Sequence, residues 1–337
     1  MRDIVFFDVK EVEKALLGSL SDKYNIEFVE SPVLKKGDLK DEYKDAVIIS
    51  VFTSSRLTAE VLSEFKNLKL IALRSVGFSH VDTDYCKQNN IKVVNTPHYG
   101  DYTVAEFAFS LLLNLVRKVC QANSNLKNGD TSNEYLGMEL FDKTIGIVGL
   151  GGIGSKAVKI ASGFSMKILA YDIYKNEQLI KDFGVEYVDI DYLCKNSDII
   201  SLHAPATKEN YHLINEKRIE TMKDGVVIVN TARGELIDSQ ALYVALLNGK
   251  IKGAALDVIE CEEAIGHYCP YFNNRDCVDI NCLKKTLINH KLLQLPNVII
   301  TSHVAYDTKE AINRILNITV QNINDFYNGT ELKNNVV

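Results

Sequence analysis

Short apolar runs alternate with stretches of helical period along the whole chain. Strand-like runs fall at Ile4 to Val9, Ala46 to Phe52, Leu68 to Ser75 and Ile91 to Asn95. Polar segments with apolar residues three and four apart separate them. One of these, Leu57 to Phe65, is expected to be a helix with Thr58 as its N-cap. A second set of strands is expected at Thr144 to Val148, Lys167 to Tyr171, Asp198 to Leu202, Val226 to Asn230, Ala254 to Val258 and Val298 to Thr301. Such alternation predicts an α/β protein with two doubly wound parallel sheets and a cleft between them. Between the two sets, Thr103 to Val119 is a nearly continuous apolar helical run, suited to a domain core or a dimer surface. After the last strand, Lys309 to Tyr327 places Ala311, Ile312, Ile315, Leu316, Ile318, Val320 and Ile323 on one helical face. That amphipathic helix is expected to return to the first sheet. The expected division is therefore a discontinuous domain of residues 1–100 plus 303–337 around a second domain of residues 101–302.

Composition narrows the function classes only a little. The chain has 337 residues, 46% hydrophobic and 24% charged, which suits two globular domains of ordinary size. A formal charge of -6 with scattered Lys and Arg argues against broad nucleic-acid binding. No apolar run reaches membrane-spanning length, and the acids in Met1 to Asp8 break any secretory signal. Seven cysteines without a secretion signal point to reduced thiols in a cytoplasm.

The most specific local pattern is Val148-Gly149-Leu150-Gly151-Gly152-Ile153-Gly154, directly after the apolar run from Thr144. A Gly-x-Gly-x-x-Gly that ends a strand and opens a helix is the context of a dinucleotide site. Gly149 permits the tight turn, Gly151 lets the backbone approach a pyrophosphate, and Gly154 lets the helix pack on the strand. Asp172 ends the following strand, 23 residues after Gly149, where an acid accepts hydrogen bonds from the adenosine ribose. With no Arg close behind it, NAD is expected over NADP. The residues 101–302 thus become a Rossmann NAD-binding domain and the discontinuous, flavodoxin-like domain the substrate domain.

Three further segments follow expected strands of the Rossmann domain. They are Asn230-Thr231-Ala232-Arg233-Gly234, Asp257-Val258-Ile259-Glu260-Cys261-Glu262 and Thr301-Ser302-His303-Val304-Ala305. Ligands of open α/β sheets bind beyond the carboxyl ends of strands, so Arg233, Glu262 and His303 are expected to converge. Their chemistry suits reduction of a 2-keto acid. A guanidinium binds the carboxylate bidentately and polarises the ketone, and an imidazolium protonates the developing alkoxide. A carboxylate beside the imidazole keeps it charged near neutral pH. Glu262 stands among Glu260 and Glu263, an acidic group that reads as a solvated face, and only its offset from Asp257 selects it.

Taken in order, Arg74-Ser75-Val76-Gly77-Phe78, Asn95-Thr96-Pro97, Val104-Ala105-Glu106, the glycine motif, Leu202-His203-Ala204-Pro205 and the three segments above span almost the whole chain. The chain resembles the D-isomer-specific 2-hydroxyacid dehydrogenases, in particular their D-lactate dehydrogenase-like branch. The resemblance implies Arg233, Glu262 and His303 as catalytic residues and the Val76-Gly77 backbone as the holder of the substrate carboxylate. It implies Phe52 and Tyr99 as walls of the substrate pocket. It also implies Gly152, Ile153, Asp172, Ala204, Pro205, Asn210, Thr231, Ala232 and Asp257 as NAD contacts, with Asp257 near the nicotinamide carboxamide. A homodimer, a small 2-keto or 2-hydroxy acid substrate and a D-configured product follow by the same resemblance, with pyruvate the first choice.

Other readings stay open on the same scaffold. Hydroxypyruvate, phenylpyruvate and branched-chain 2-keto acids fit the same residues, as does phosphite oxidation. Some relatives act as NAD-sensing corepressors, a role for which a disordered or basic extension is expected and not seen. A phosphoglycerate dehydrogenase often carries a regulatory domain, for which no room is expected beyond Val337. Formate dehydrogenases use a Gln-His pair, against which Glu262 argues. Ser302 stands where many relatives have Pro, and Ser79-His80 where Asp-Asn or Asn-Asn is commoner. The stretch from Cys261 to Gln294 holds Cys261, Cys269, Cys277 and Cys282 with His267 and His290, but no Cys-x-x-Cys. Its spacing fits no common zinc pattern, so a metal-free loop is expected.

Overall fold

The computed structural model describes residues 3–131, 134–262 and 280–337. It divides into two compact units, Met1–Tyr99 with Asp307–Val337, and Gly100–Tyr306.

In the first unit five short strands form one parallel sheet. They are β1 (Ile4–Phe7), β2 (Ile26–Val29), β3 (Ile48–Val51), β4 (Leu70–Leu73) and β5 (Lys92–Val94), in the order β2-β1-β3-β4-β5. Ile4 pairs with Ile48 and Ile49 with Ile71, so branched side chains stack in register. β1, β3 and β4 are buried along their length because helices cover both faces, which is why they read as apolar runs, broken only by Ser50 in β3. β2 was not legible in the sequence: Ile26-Glu27-Phe28-Val29 is a half-buried edge strand without a continuous apolar run. The helix Lys309–Asn328, capped by the Thr308 side chain, sets Leu316 and Ile323 into the core formed by Ile4, Phe6, Leu70 and Val94.

The second unit holds seven parallel strands. They are β6 (Thr144–Val148), β7 (Lys167–Tyr171), β8 (Glu186–Tyr187), β9 (Ile199–Leu202), β10 (Val226–Asn230), β11 (Ile251–Leu256) and β12 (Val298–Ile300). Their order is β12-β11-β10-β9-β6-β7-β8. The direction of winding reverses between β6 and β9, so the loops leaving those strands part at the switch point where doubly wound sheets take ligands. The two-residue β8 is too short to leave a periodic signal. The apolar run expected at Thr103 to Val119 is the helix Asp101–Arg117, broken by Lys118 in the left-handed region and continued as Val119–Lys127. Its Ala105, Ala108, Phe109, Leu111 and Leu112 lie in the core beside Ala157, Val158 and Ala161 of the helix Gly152–Gly163.

Candidate functional site

The loop after β6 is shaped by close backbone approaches. Gly149 has φ +87, and a Cβ there would sit 2.6 Å from the Ala204 nitrogen. A Cβ at Gly154 would overlap the Gly149 carbonyl oxygen, so the helix starts directly against the strand that feeds it. At Gly151, by contrast, a Cβ would meet no described atom within 4 Å. The first turn of Gly152–Gly163 thus has space before it, and its unpaired N–H groups and dipole favour an anion there. Gly154→Ala is expected to destabilise the unit by about 1–3 kcal/mol and to weaken dinucleotide binding. Thermal melting with and without NADH checks both effects; unchanged melting and NADH affinity would contradict this account of the turn.

Asp172 closes the loop from the end of β7. Its Oδ2 accepts from Leu150 N at 2.5 Å and its Oδ1 from Tyr174 N at 2.9 Å. Across the switch point, Ala204 and Pro205 follow β9. Asn210 ties their loop together, its Oδ1 accepting from Thr207 N at 2.7 Å and its amide donating to Pro205 O at 2.6 Å. Ile153 is partly buried against the core, and Ala232 N donates to the Asn230 side chain at 3.0 Å. Thr231 is buried, and its hydroxyl has no hydrogen-bond partner among the described residues. Open space at Gly151 and an unsatisfied buried hydroxyl at Thr231 are what a dinucleotide would fill and pair. The residues present fit NAD. One feature here escaped the sequence: the Asp101 carboxylate packs directly against Gly152. His203, in the segment before Pro205, lies under the turn. His203 hydrogen-bonds Ser201 Oγ at 2.9 Å, and burial pushes its pKa down to about 4.

The acid–base pair sits at the ends of β11 and β12. His303 Nδ1 lies 2.7 Å from Glu262 Oε1, leaving Nε2 as the ring nitrogen to face a substrate. His303 takes φ +55, an uncommon left-handed turn for a non-glycine residue. The Glu262 hydrogen bond raises the His303 pKa, against the opposing effect of burial. The charges of Glu262 and Asp257 add to the rise, and that of Arg233 opposes it. Arg233 therefore lies within electrostatic reach of the imidazole, with its Nη1 donating to Ala232 O at 2.6 Å.

Asp257 is a buried hub. Its Oδ1 accepts from Thr301 Oγ1 at 2.5 Å and Val304 N at 3.0 Å, and its Oδ2 accepts from Ala305 N at 2.9 Å. Its carbonyl accepts from His303 N at 3.0 Å. The family resemblance implies Asp257 as a cofactor contact; the structure makes it the bracket of the His303 loop. Glu260 differs from its expected place on a solvated face: it is 2% exposed.

In the first unit, Phe52 follows β3, and Tyr99 stands after β5 with its carbonyl accepting from Arg314 Nε at 2.7 Å. The Val76-Gly77 loop follows β4. Thr96 N donates to Ser75 O at 3.0 Å, Asn95 Nδ2 to Val76 O at 2.8 Å, and Ser75 Oγ to Gly77 O at 2.7 Å. Each peptide is planar and trans, so fixing these three carbonyls aims the N–H groups of Val76, Gly77 and Phe78 the opposite way. Arg74, fully buried, anchors the loop's root by donating to Phe7 O at 2.7 Å, Asp8 O at 2.6 Å and Ser50 Oγ at 3.1 Å. The unusual His80 is partly buried, which pushes its pKa down to about 4, and Asp82 caps the next helix through Tyr85 N at 2.9 Å.

Among the described residues no group of three His, Cys, Asp or Glu side chains is arranged to hold a metal. Cys269, Cys277 and His267 lie outside the described residues.

Residues 109–305 match the family model described as D-isomer specific 2-hydroxyacid dehydrogenase, NAD binding domain. The chain is 39% identical over 305 residues to a hydroxypyruvate reductase of Thermotoga maritima, covering 90% of this chain and 92% of that one. It is 35% identical to a D-lactate dehydrogenase of Escherichia coli, covering 99% of each. A crystal structure of D-lactate dehydrogenase from Aquifex aeolicus, complexed with NAD and lactic acid, superposes with a TM-score of 0.87 at 38% identity, covering 99% of both chains.

Proposed function

The chain belongs to the D-isomer specific 2-hydroxyacid dehydrogenases, NAD-dependent oxidoreductases of the CH–OH group, and we propose that it is a D-lactate dehydrogenase reducing pyruvate. The carrying observation is the His303–Glu262 pair at 2.7 Å, a histidine whose proton is held by a carboxylate at the rim of the NAD-binding sheet.

The proposed roles follow from each group's chemistry. NAD, when bound as NADH, supplies the hydride that the keto carbon accepts. Gly151 and Gly152 would receive the pyrophosphate and Asp172 the adenosine ribose, while Ile153, Ala204, Pro205, Asn210, Thr231, Ala232 and Asp257 line the rest of the cofactor. Arg233 pairs with the substrate carboxylate and draws electron density from the ketone. The N–H groups of Val76 and Gly77, by the family resemblance, would donate to a substrate carboxylate. His303 gives the Nε2 proton to the developing alkoxide, and Glu262 stabilises the imidazolium until that moment. Phe52 and Tyr99, by the family resemblance, would set which keto-acid side chain is accepted.

A homodimer in the cytoplasm completes the proposal. Val119, Leu126 and Phe141 are 54%, 65% and 68% exposed, apolar area that a second copy would cover. Cys86, Cys120, Cys194 and Cys282 carry free thiols, as in a reducing compartment.

The substrate assignment is tested by kcat/KM for pyruvate, hydroxypyruvate and phenylpyruvate with NADH, and with NADPH as cofactor control. Pyruvate with NADH is expected to lead. A lead for hydroxypyruvate, in line with the Thermotoga relative, would keep the chemistry and replace the substrate.

A further inference from the structure

Glu260 lies at the meeting of four segments of the second unit. Its Oε1 sits 2.6 Å from Lys285 Nζ and 2.8 Å from His212 Nε2. Its Oε2 accepts from Ser239 Oγ at 2.8 Å and from Ser239 N at 3.2 Å. Its backbone carbonyl accepts from Asn289 Nδ2 at 2.6 Å. Lys285 and Asn289 belong to the helix Ile280–Leu293, and Ser239 opens the helix Ser239–Leu247. Around this centre Tyr211 stacks on His212 with ring centroids 3.9 Å apart and its hydroxyl accepts from Lys285 at 2.9 Å. Asp238 stands 3.7 Å from His212 Nδ1.

A buried carboxylate is costly unless its lone pairs are met, and here donors from three other segments meet them. The expense serves the residues beside it. Cys261 follows with φ +53, a left-handed step that turns the chain before Glu262. Glu260 is thus fixed at side chain and carbonyl, one turn residue away from the carboxylate that holds His303. The Arg233 loop leans on the same place: a Cβ at Gly234 would overlap the backbone of Ile259 and Glu260.

We propose that Glu260 is a positioning residue: its contacts with Lys285, His212 and Ser239 aim Glu262 at His303 and seat the Arg233 loop. It touches neither substrate nor cofactor and acts through those neighbours. The proposal rests on Glu262 and His303 being the proton-donating pair.

The test is the pH profile of pyruvate reduction by full-length Glu260→Gln, Lys285→Met, Lys285→Arg and Glu262→Gln. Both Glu260→Gln and Lys285→Met are expected to lower kcat at least tenfold, with smaller change in KM. Their alkaline limb should move to lower pH, in the same direction as that of Glu262→Gln. Lys285→Arg, which keeps the ion pair, should restore most of the rate and the limb. If Glu260→Gln does not fold, Lys285→Met decides alone. Folded variants with wild-type kcat and limb, beside a shifted Glu262→Gln, would overturn the positioning role. A limb unmoved in Glu262→Gln itself would instead overturn the assignment of the pair.

Discussion

His303→Ala is expected to lower kcat for keto-acid reduction by about 10²–10⁴-fold, the usual contribution of a positioned general acid. NADH affinity should hold, because the Gly149–Gly154 turn, with its open space at Gly151, belongs to a different loop. The pH dependence follows from the direction of the shift. Glu262 raises the His303 pKa, so the imidazolium persists to higher pH than an ordinary histidine would. Reduction needs that proton; its rate is present below the raised pKa and falls as pH climbs through it. Oxidation of the hydroxy acid needs the neutral ring and should rise over the same interval. In Glu262→Gln the reductive limb moves to lower pH. A pH-rate series in both directions reads these signs, and near-wild-type reduction by His303→Ala would remove it from the mechanism.

Arg233→Gln is the second large effect. Losing two charge-assisted hydrogen bonds, each about 1.5–3 kcal/mol, lowers kcat/KM by roughly 10²–10⁴-fold. A guanidinium also opposes the raised pKa of His303, so its removal should carry the alkaline limb slightly upward. Steady-state kinetics with pyruvate separate these effects. Arg233→Lys should recover only part of the loss, because an ammonium cannot match the planar two-point geometry of a carboxylate. Full recovery by Lys would show that charge alone is at work.

What the sequence made legible was whatever a short window contains. The glycine turn after Thr144 to Val148 and the segments ending in Arg233 and Glu262 each carry their own signal, and all follow strands. Buried central strands such as β3 and β10 announce themselves because both faces are covered. β2 at a sheet edge and the two-residue β8 do not. Contacts across the fold are a different matter. Glu260 looks like a surface acid because its partners, His212, Ser239 and Lys285, lie 48, 21 and 25 residues away. The bracket formed by Asp257 is hidden for a second reason: Val304 and Ala305 contribute only backbone N–H groups, which any residue carries. Arg74 stands in a motif of the sequence, yet its burial follows from carbonyls at the end of β1.

The most direct measurement is the product of pyruvate and NADH, followed by loss of NADH absorbance and resolved on a chiral column. The account predicts stoichiometric D-lactate, formed by the wild-type chain and abolished to within background in His303→Ala. L-Lactate, or no NADH-dependent reduction of pyruvate by a chain that binds NADH, would contradict it.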